Sequence, residues 1–191
     1  MTGLLNLKAH ISGQGTSRDE IVNSLKGDLK YSSKDGYIYH DAHLAKVLSL
    51  LNVTNLFKGQ IPDMRTTGFH YDSLFAKGAM EKGILTIAPA KLEAPIMEVV
   101  TNGTIDIPRE KVKLQVLVAP LQTVNKIQKI LPIVRSIIPS NIVAVPVEVS
   151  GNFSDIKVRV MPMSAITRSV FNVMVDALAT PVRIFEGDSQ K

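Results

Sequence analysis

The chain has no cysteine and no tryptophan, and only 5% of its 191 residues are aromatic. Without thiols it can form no disulfide, thiolate nucleophile or cysteine-ligated metal site. The compartment stays open, because oxidising spaces tolerate proteins that lack cysteine. With few rings and 45% hydrophobic residues, the apolar volume falls to Val, Ile, Leu, Ala and Met, an aliphatic and adaptable filling. Long apolar blocks are missing as well. The N-terminal "MTGLLNLKAHISGQG" alternates and then turns, without a block of the length a signal peptide or membrane span needs. Dense charge is also absent: 22 Lys and Arg against 17 Asp and Glu give +5, with the basic residues scattered and never four in a row. That balance favours anionic surfaces without demanding them. It lacks the clustered basic stripe with stacking aromatics that nucleic-acid binding wants, so no nucleic-acid partner is expected.

Catalytic patterns are equally sparse. His40 and His43 flank Asp41 at a spacing that sets two imidazoles on one helix face, but no third ligand accompanies them and they read as polar residues at a helix start. "GQGTS" has two glycines without the Lys or the spacing of a phosphate loop. No Gly-x-Ser-x-Gly elbow occurs, and the Ser, His and Asp residues form no pattern that singles out a triad. Neither an enzyme, a metal nor a cofactor is expected.

What the sequence does contain is alternation. Leu5, Leu7, Ala9 and Ile11 read as a strand, followed by a short helix capped by Thr16 or Ser17 and ended at Gly27. "LKYSSKDGYIYH" reads as a hairpin turning at Asp35-Gly36. Leu44, Val47, Leu48, Leu51 and Val53 mark an amphipathic helix from Asp41 to about Asn52. Short strands then follow as a meander: Phe69 to Met80, Ile84 to Ile87 after a turn at Gly83, Ile96 to Thr101, Gly103 to Ile107, and Lys111 to Ala119, with "TNG" and "PREK" as separators. Leu121 through Ile138 recur at helical spacing, interrupted by Pro132 and stopped by Pro139. The stretch "VAVPVEVSGNFSDIKVRVMP", residues 143–162, is a second hairpin, and a helix from about Ser164 to Leu178 closes the pattern. With no repeat period and no low-complexity linker, residues 1–191 read as one α+β domain, long enough to bury about 70% of its unfolded surface.

In these runs Val112, Leu114, Val116 and Val118 share one strand face, as do Val145, Val147 and Val149, and Ile156, Val158 and Val160. One reading is a curved antiparallel sheet whose apolar face is covered by the helices. The other is that the aliphatic face forms a groove for acyl chains, with Met80, Met97, Met161 and Met163 as adaptable lining. Lys111, Lys113, Lys157 and Arg159 are then either headgroup contacts at a rim or ordinary outward charges. The last helix, with Ile166, Val170, Phe171, Val173 and Met174, is apolar on most sides and reads as a plug for that groove or a membrane contact.

The order of the elements resembles the C-terminal region of the AsmA-like family of bacterial envelope proteins. The resembling pieces are Gly13 and Gly15, Leu25 and Gly27, Asp35 and Gly36, Leu48 to Leu51, Gly103 to Ile107, and Pro146 to Asp155. The resemblance implies a bridge-like lipid transfer protein: a curved, mainly antiparallel sheet with an apolar groove, several helices packed on or capping it, and no catalysis. It implies a periplasmic domain cut from an inner-membrane-anchored protein, with phospholipid acyl chains, a membrane surface or an envelope protein as partners, serving outer-membrane lipid homeostasis. The rival expectation is a fully packed structural capping or protein-interaction domain that holds no lipid.

Overall fold

The computed structural model describes residues 2–39, 68–120 and 144–182. Eight strands form one antiparallel sheet in chain order: β1 (Leu4–Ser12), β2 (Lys26–Ile38), β3 (Phe69–Glu81), β4 (Ile84–Ala94), β5 (Met97–Asp106), β6 (Lys111–Pro120), β7 (Val145–Asn152) and β8 (Asp155–Val160). Among the described residues the sheet is open, with β1 and β8 as its edges. Two α-helices stand among the described residues, α1 (Arg18–Ser24) between β1 and β2, and α2 (Arg168–Ala179) after β8.

Local chemistry explains the connections. Lys82 (φ 51°) and Gly83 (φ 72°) join β3 to β4 with both central residues at positive φ, the turn whose twist suits paired strands. Asn152 pairs with Asp155, leaving Phe153-Ser154 as the two-residue loop of the second hairpin. At the start of α1 the Ser17 hydroxyl accepts from the Glu20 N–H at 3.2 Å, and the Glu20 carboxylate accepts from the Thr16 N–H at 2.7 Å. The first satisfies a donor that the opening helical turn leaves over, and the second ties the residue before the cap to that turn. Hydrogen bonds from the Thr16 backbone and hydroxyl hold the exposed Glu20 carboxyl below its ordinary value.

Several sequence expectations change. Asp35-Gly36 does not close a hairpin; β2 runs through it, with Asp35 at φ 48°. The β1–β2 pairing steps by one residue there: Leu4 stands opposite Lys34, while the Thr2 N–H reaches the Tyr37 carbonyl at 2.9 Å. A positive-φ Asp can thus serve a bulge as well as a turn. "TNG" likewise stays inside β5. Gly27 lies in β2, and α1 ends at Ser24, with Leu25 as its C-cap. β4 continues beyond Ile87 to Ala94 because the register slips between Ile87 and Ala90, a bulge that lets Pro89 sit in a central strand. The final helix begins at Arg168 rather than Ser164; a 3-10 turn, Met163–Ala165, precedes it. The helices expected over 41–52 and 121–138 lie outside the described residues, as do His40 and His43.

Register decides the two faces. One row of directly opposed residues crosses all eight strands: Ile11, Gly27, Met80, Leu85, Ile105, Val112, Gly151 and Ile156. The adjacent row, pointing to the other side, reads His10, Asp28, Ala79, Thr86, Thr104, Lys113, Ser150 and Lys157. The first row contains no polar side chain; the second contains one apolar residue, Ala79. A third row, on the apolar side, runs Leu5, Ser33, Leu74, Leu92, Val99, Val118 and Val145. Apart from Ser33, every residue of the first and third rows is apolar or glycine, and the first of them crosses the sheet from edge to edge.

The aliphatic face and the helix behind it

All ten aliphatic residues singled out from β6, β7 and β8 lie on the apolar side. Val118 opposes Val145, and Val116, Val147 and Val160 line up, as do Leu114, Val149 and Val158 and, around Gly151, Val112 and Ile156. Their burial is graded. Val118 and Val147 are fully buried, Val112, Val116 and Val145 nearly so, Leu114, Val149, Ile156 and Val158 partly, and Val160 is 45% exposed. At the other edge Leu5, Leu7 and Ile11 of β1 are 57%, 58% and 47% exposed.

Residues that sequence reasoning passed over complete this face. Phe69, Tyr71 and Ala94 cluster, together with the expected Met97, with Val116, Val118, Val145 and Val147. The Tyr71 hydroxyl stays satisfied there, 2.7 Å from the buried Ser33 hydroxyl and donating to the Thr2 carbonyl at 3.0 Å. Met97 and Met80 are buried, which puts two of the expected methionines on the face. Of the expected rim cations, Lys113, Lys157 and Arg159 lie on the polar side. Lys113 and Lys157 belong to the polar row, and Arg159 opposes Glu148 with 3.9 Å between their charged groups.

The last helix does not plug this face. Ile166, Phe171 and Met174 are buried against Val100, Leu117 and Ala119, and Val170 is partly buried with them. Val100 and Leu117 are directly paired, one position along from Val99 and Val118, so they point the opposite way. Val173 is 46% exposed. The helix is thus amphipathic, and its apolar stripe is spent on the reverse side of β4 to β6.

Lys91 fixes the helix in place. Its side chain is 2% exposed, and Nζ donates to the Leu178 and Thr180 carbonyls at 2.8 and 2.9 Å, at the C-terminus of α2. The same ammonium lies 3.1 Å from Glu93 and 3.3 Å from Glu98, two carboxylates placed directly opposite each other by register. Glu93 also accepts from the Ser73 hydroxyl at 2.6 Å and the Val182 N–H at 3.1 Å. Burial pushes its carboxyl up, but hydrogen bonds from Ser73, Val182 and Lys91, with the Lys91 charge, outweigh that and hold it below the ordinary 4.5. The cluster satisfies helix-end carbonyls and neutralises a like-charge pair. It reads as an anchor, since every group in it is already engaged.

Among the described residues no group of three or more His, Asp or Glu could hold a metal ion, and no helix is long and apolar enough to cross a membrane. No family model, curated protein or solved structure matches the chain.

Proposed function

We propose that this chain is a non-enzymatic lipid-binding module whose aliphatic sheet face forms a groove for phospholipid acyl chains, as in the AsmA-like proteins its element order resembles. The single observation that carries the reading is the eight-strand apolar row from Ile11 to Ile156 beside an almost wholly polar row on the reverse side. A sheet of this kind replaces water along an acyl chain without any specific polar contact. A strand of seven residues spans roughly 23 Å, against about 15 Å for one leaflet's share of the hydrocarbon core. Each methylene laid on the face contributes about 0.8 kcal/mol. The exposed apolar side chains at both edges, Leu5, Leu7 and Val160, are where the face remains open to a ligand or to a continuing sheet. In this reading the module sits in the periplasm as a segment of a lipid bridge between two membranes, and the ten residues of β6 to β8 line its floor.

A second reading rests on the complete burial of Val118 and Val147: a packed module that caps a longer β-structure and takes no lipid. The two separate in one experiment. The protein is purified without added lipid, extracted with organic solvent, and the extract analysed by mass spectrometry, for the parent chain and for Val158→Asp and Val160→Asp. Stoichiometric phospholipid in the parent, lost in variants that still fold, supports the groove. A lipid-free parent that also refuses added phospholipid supports the capping module.

A further inference from the structure

The two edges of the sheet differ in kind. β8 is six residues long and carries Asp155, Lys157 and Arg159, with Lys157 3.9 Å from Asp155 and Arg159 3.9 Å from Glu148. Short, charged strands are how sheet proteins keep an edge from pairing with another chain. β1 lacks that protection. Its nine residues contain no proline, are all exposed, and hold one unbroken register with β2 from Leu4 to Ser12. Among the described residues no strand pairs with its outer side, which offers backbone donors and acceptors to a further strand. Apolar side chains are exposed along it, Leu4, Leu5, Leu7 and Ile11 at 80%, 57%, 58% and 47%.

The strand is also complementary to itself. A two-fold axis perpendicular to the sheet brings β1 of two copies together antiparallel and keeps both apolar faces on the same side. Complete overlap, with Leu4 against the partner's Ser12, sets Lys8 on the axis against the partner's Lys8. Like charges directly opposed across strands are destabilising. A slip of two residues removes that contact: Leu7 then meets the partner's Leu7, Leu5 the partner's Ala9, and Lys8 the partner's Asn6, whose amide oxygen accepts from an ammonium group. The opposite slip leaves Leu4 and Leu5 outside the pairing. Lys8, which points to the polar side, thus selects a register rather than blocking the edge.

We infer that β1 is an interface for a second copy of this chain, β1 against β1 with Leu7 at the two-fold axis. The pairing doubles the sheet and carries its apolar side unbroken from one protomer to the next. An isologous contact of this kind closes at two copies, whereas β1 against β8 repeats without closing, and the short, charged β8 opposes it. The inference stands on edge geometry and self-complementarity, not on the acyl-chain reading; a packed module without lipid pairs in the same way.

The test is sedimentation equilibrium of the full chain over a concentration series, which gives monomer and dimer without larger species. Leu7→Lys sets two charges against each other on the axis and weakens the dimer by about a hundredfold, at about tenfold for the leucine withdrawn from each protomer. Leu7→Thr keeps a good strand former and weakens the dimer in the same direction, which guards against a folding defect in the charged variant. The β8 variant Val160→Lys dimerises as the parent does. Because the chain has no cysteine, single cysteines report the register: under mild oxidation Leu7→Cys crosslinks to its own copy faster than Lys8→Cys or Ile11→Cys.

A dimer lost in Leu7→Lys, kept in Val160→Lys and crosslinked fastest at position 7 supports the pairing. A monomer at every concentration, a ladder of growing oligomers, a dimer indifferent to Leu7→Lys, or crosslinking led by Lys8→Cys overturns it. The lipid content of the same preparations decides the acyl-chain reading separately.

Discussion

Val116 of β6 stands directly opposite Val147 of β7, and Val147 is fully buried while its other neighbour, Val160 of β8, is 45% exposed. Along one register row the same residue type passes from core to surface. That gradient separates what the face does for stability from what it does for a ligand.

Val147→Ala removes two buried methyl groups and costs about 2 kcal/mol at roughly 0.8 kcal/mol per group plus a small cavity. Val160→Ala stays within about 0.5 kcal/mol yet weakens acyl-chain binding. Urea midpoints for both variants, set beside lipid occupancy, check the contrast. Equal destabilisation would mean that Val160 belongs to the closed core.

Lys91→Met leaves Glu93 and Glu98 facing each other and frees the carbonyls of Leu178 and Thr180. Breaking a buried ion pair from one side is strongly destabilising; with carboxylates that are each 26% exposed, the expected loss is about 3 kcal/mol. Amide hydrogen exchange accelerates in α2 ahead of the central strands. Protection unchanged in α2 would remove Lys91 from its anchoring role.

The acid limb of the stability curve follows from Glu93. Its folded carboxyl titrates below the ordinary 4.5, so it contributes stability that is present above that value and lost as pH falls through its folded value. Glu93→Gln therefore lowers stability at neutral pH and flattens the decline below about pH 4.5. Denaturant midpoints across the acid range measure both effects, and parallel curves for parent and variant would contradict the assignment.

Gly103, at φ 147° in the middle of β5, has no room for a Cβ: one built there runs into the Lys113 carbonyl and the Leu114 Cα. Gly103→Ala costs about 2 kcal/mol through the strained backbone alone, read from thermal unfolding. A neutral substitution would mean that β5 relaxes freely at that point.

Much of the sheet was legible in the sequence because its strongest signals are local. The two-residue period of Val145 to Val160 and the turn at Lys82-Gly83 involve neighbours only, so hairpins and face assignments within β6, β7 and β8 followed from spacing. Asp35-Gly36 misled because positive φ serves bulges as well as turns, and its use depends on β1 and β3 pairing alongside. Gly103 misled in the same way. The extension of the apolar face across β1 to β5 was not legible, since register between distant strands appears in no single segment. Neither was the side of the sheet that α2 chooses. The apolar rows of Val100 and Val99 differ by one position, and only the fold tells which one meets Phe171. Nothing in the residues around Lys91 marks it as buried. Its one sequence signal is Glu93 two positions on, placed by the strand period on the same side.

The most direct test of the acyl-chain face is methyl NMR of the Val, Leu and Ile residues in the presence of phosphatidylcholine carrying a nitroxide on its acyl chain. The account predicts paramagnetic broadening at Leu114, Val149, Val158 and Val160, with Val100 and Leu117 on the reverse side spared. No broadening, or broadening centred on Val100, Leu117 and α2, would contradict it.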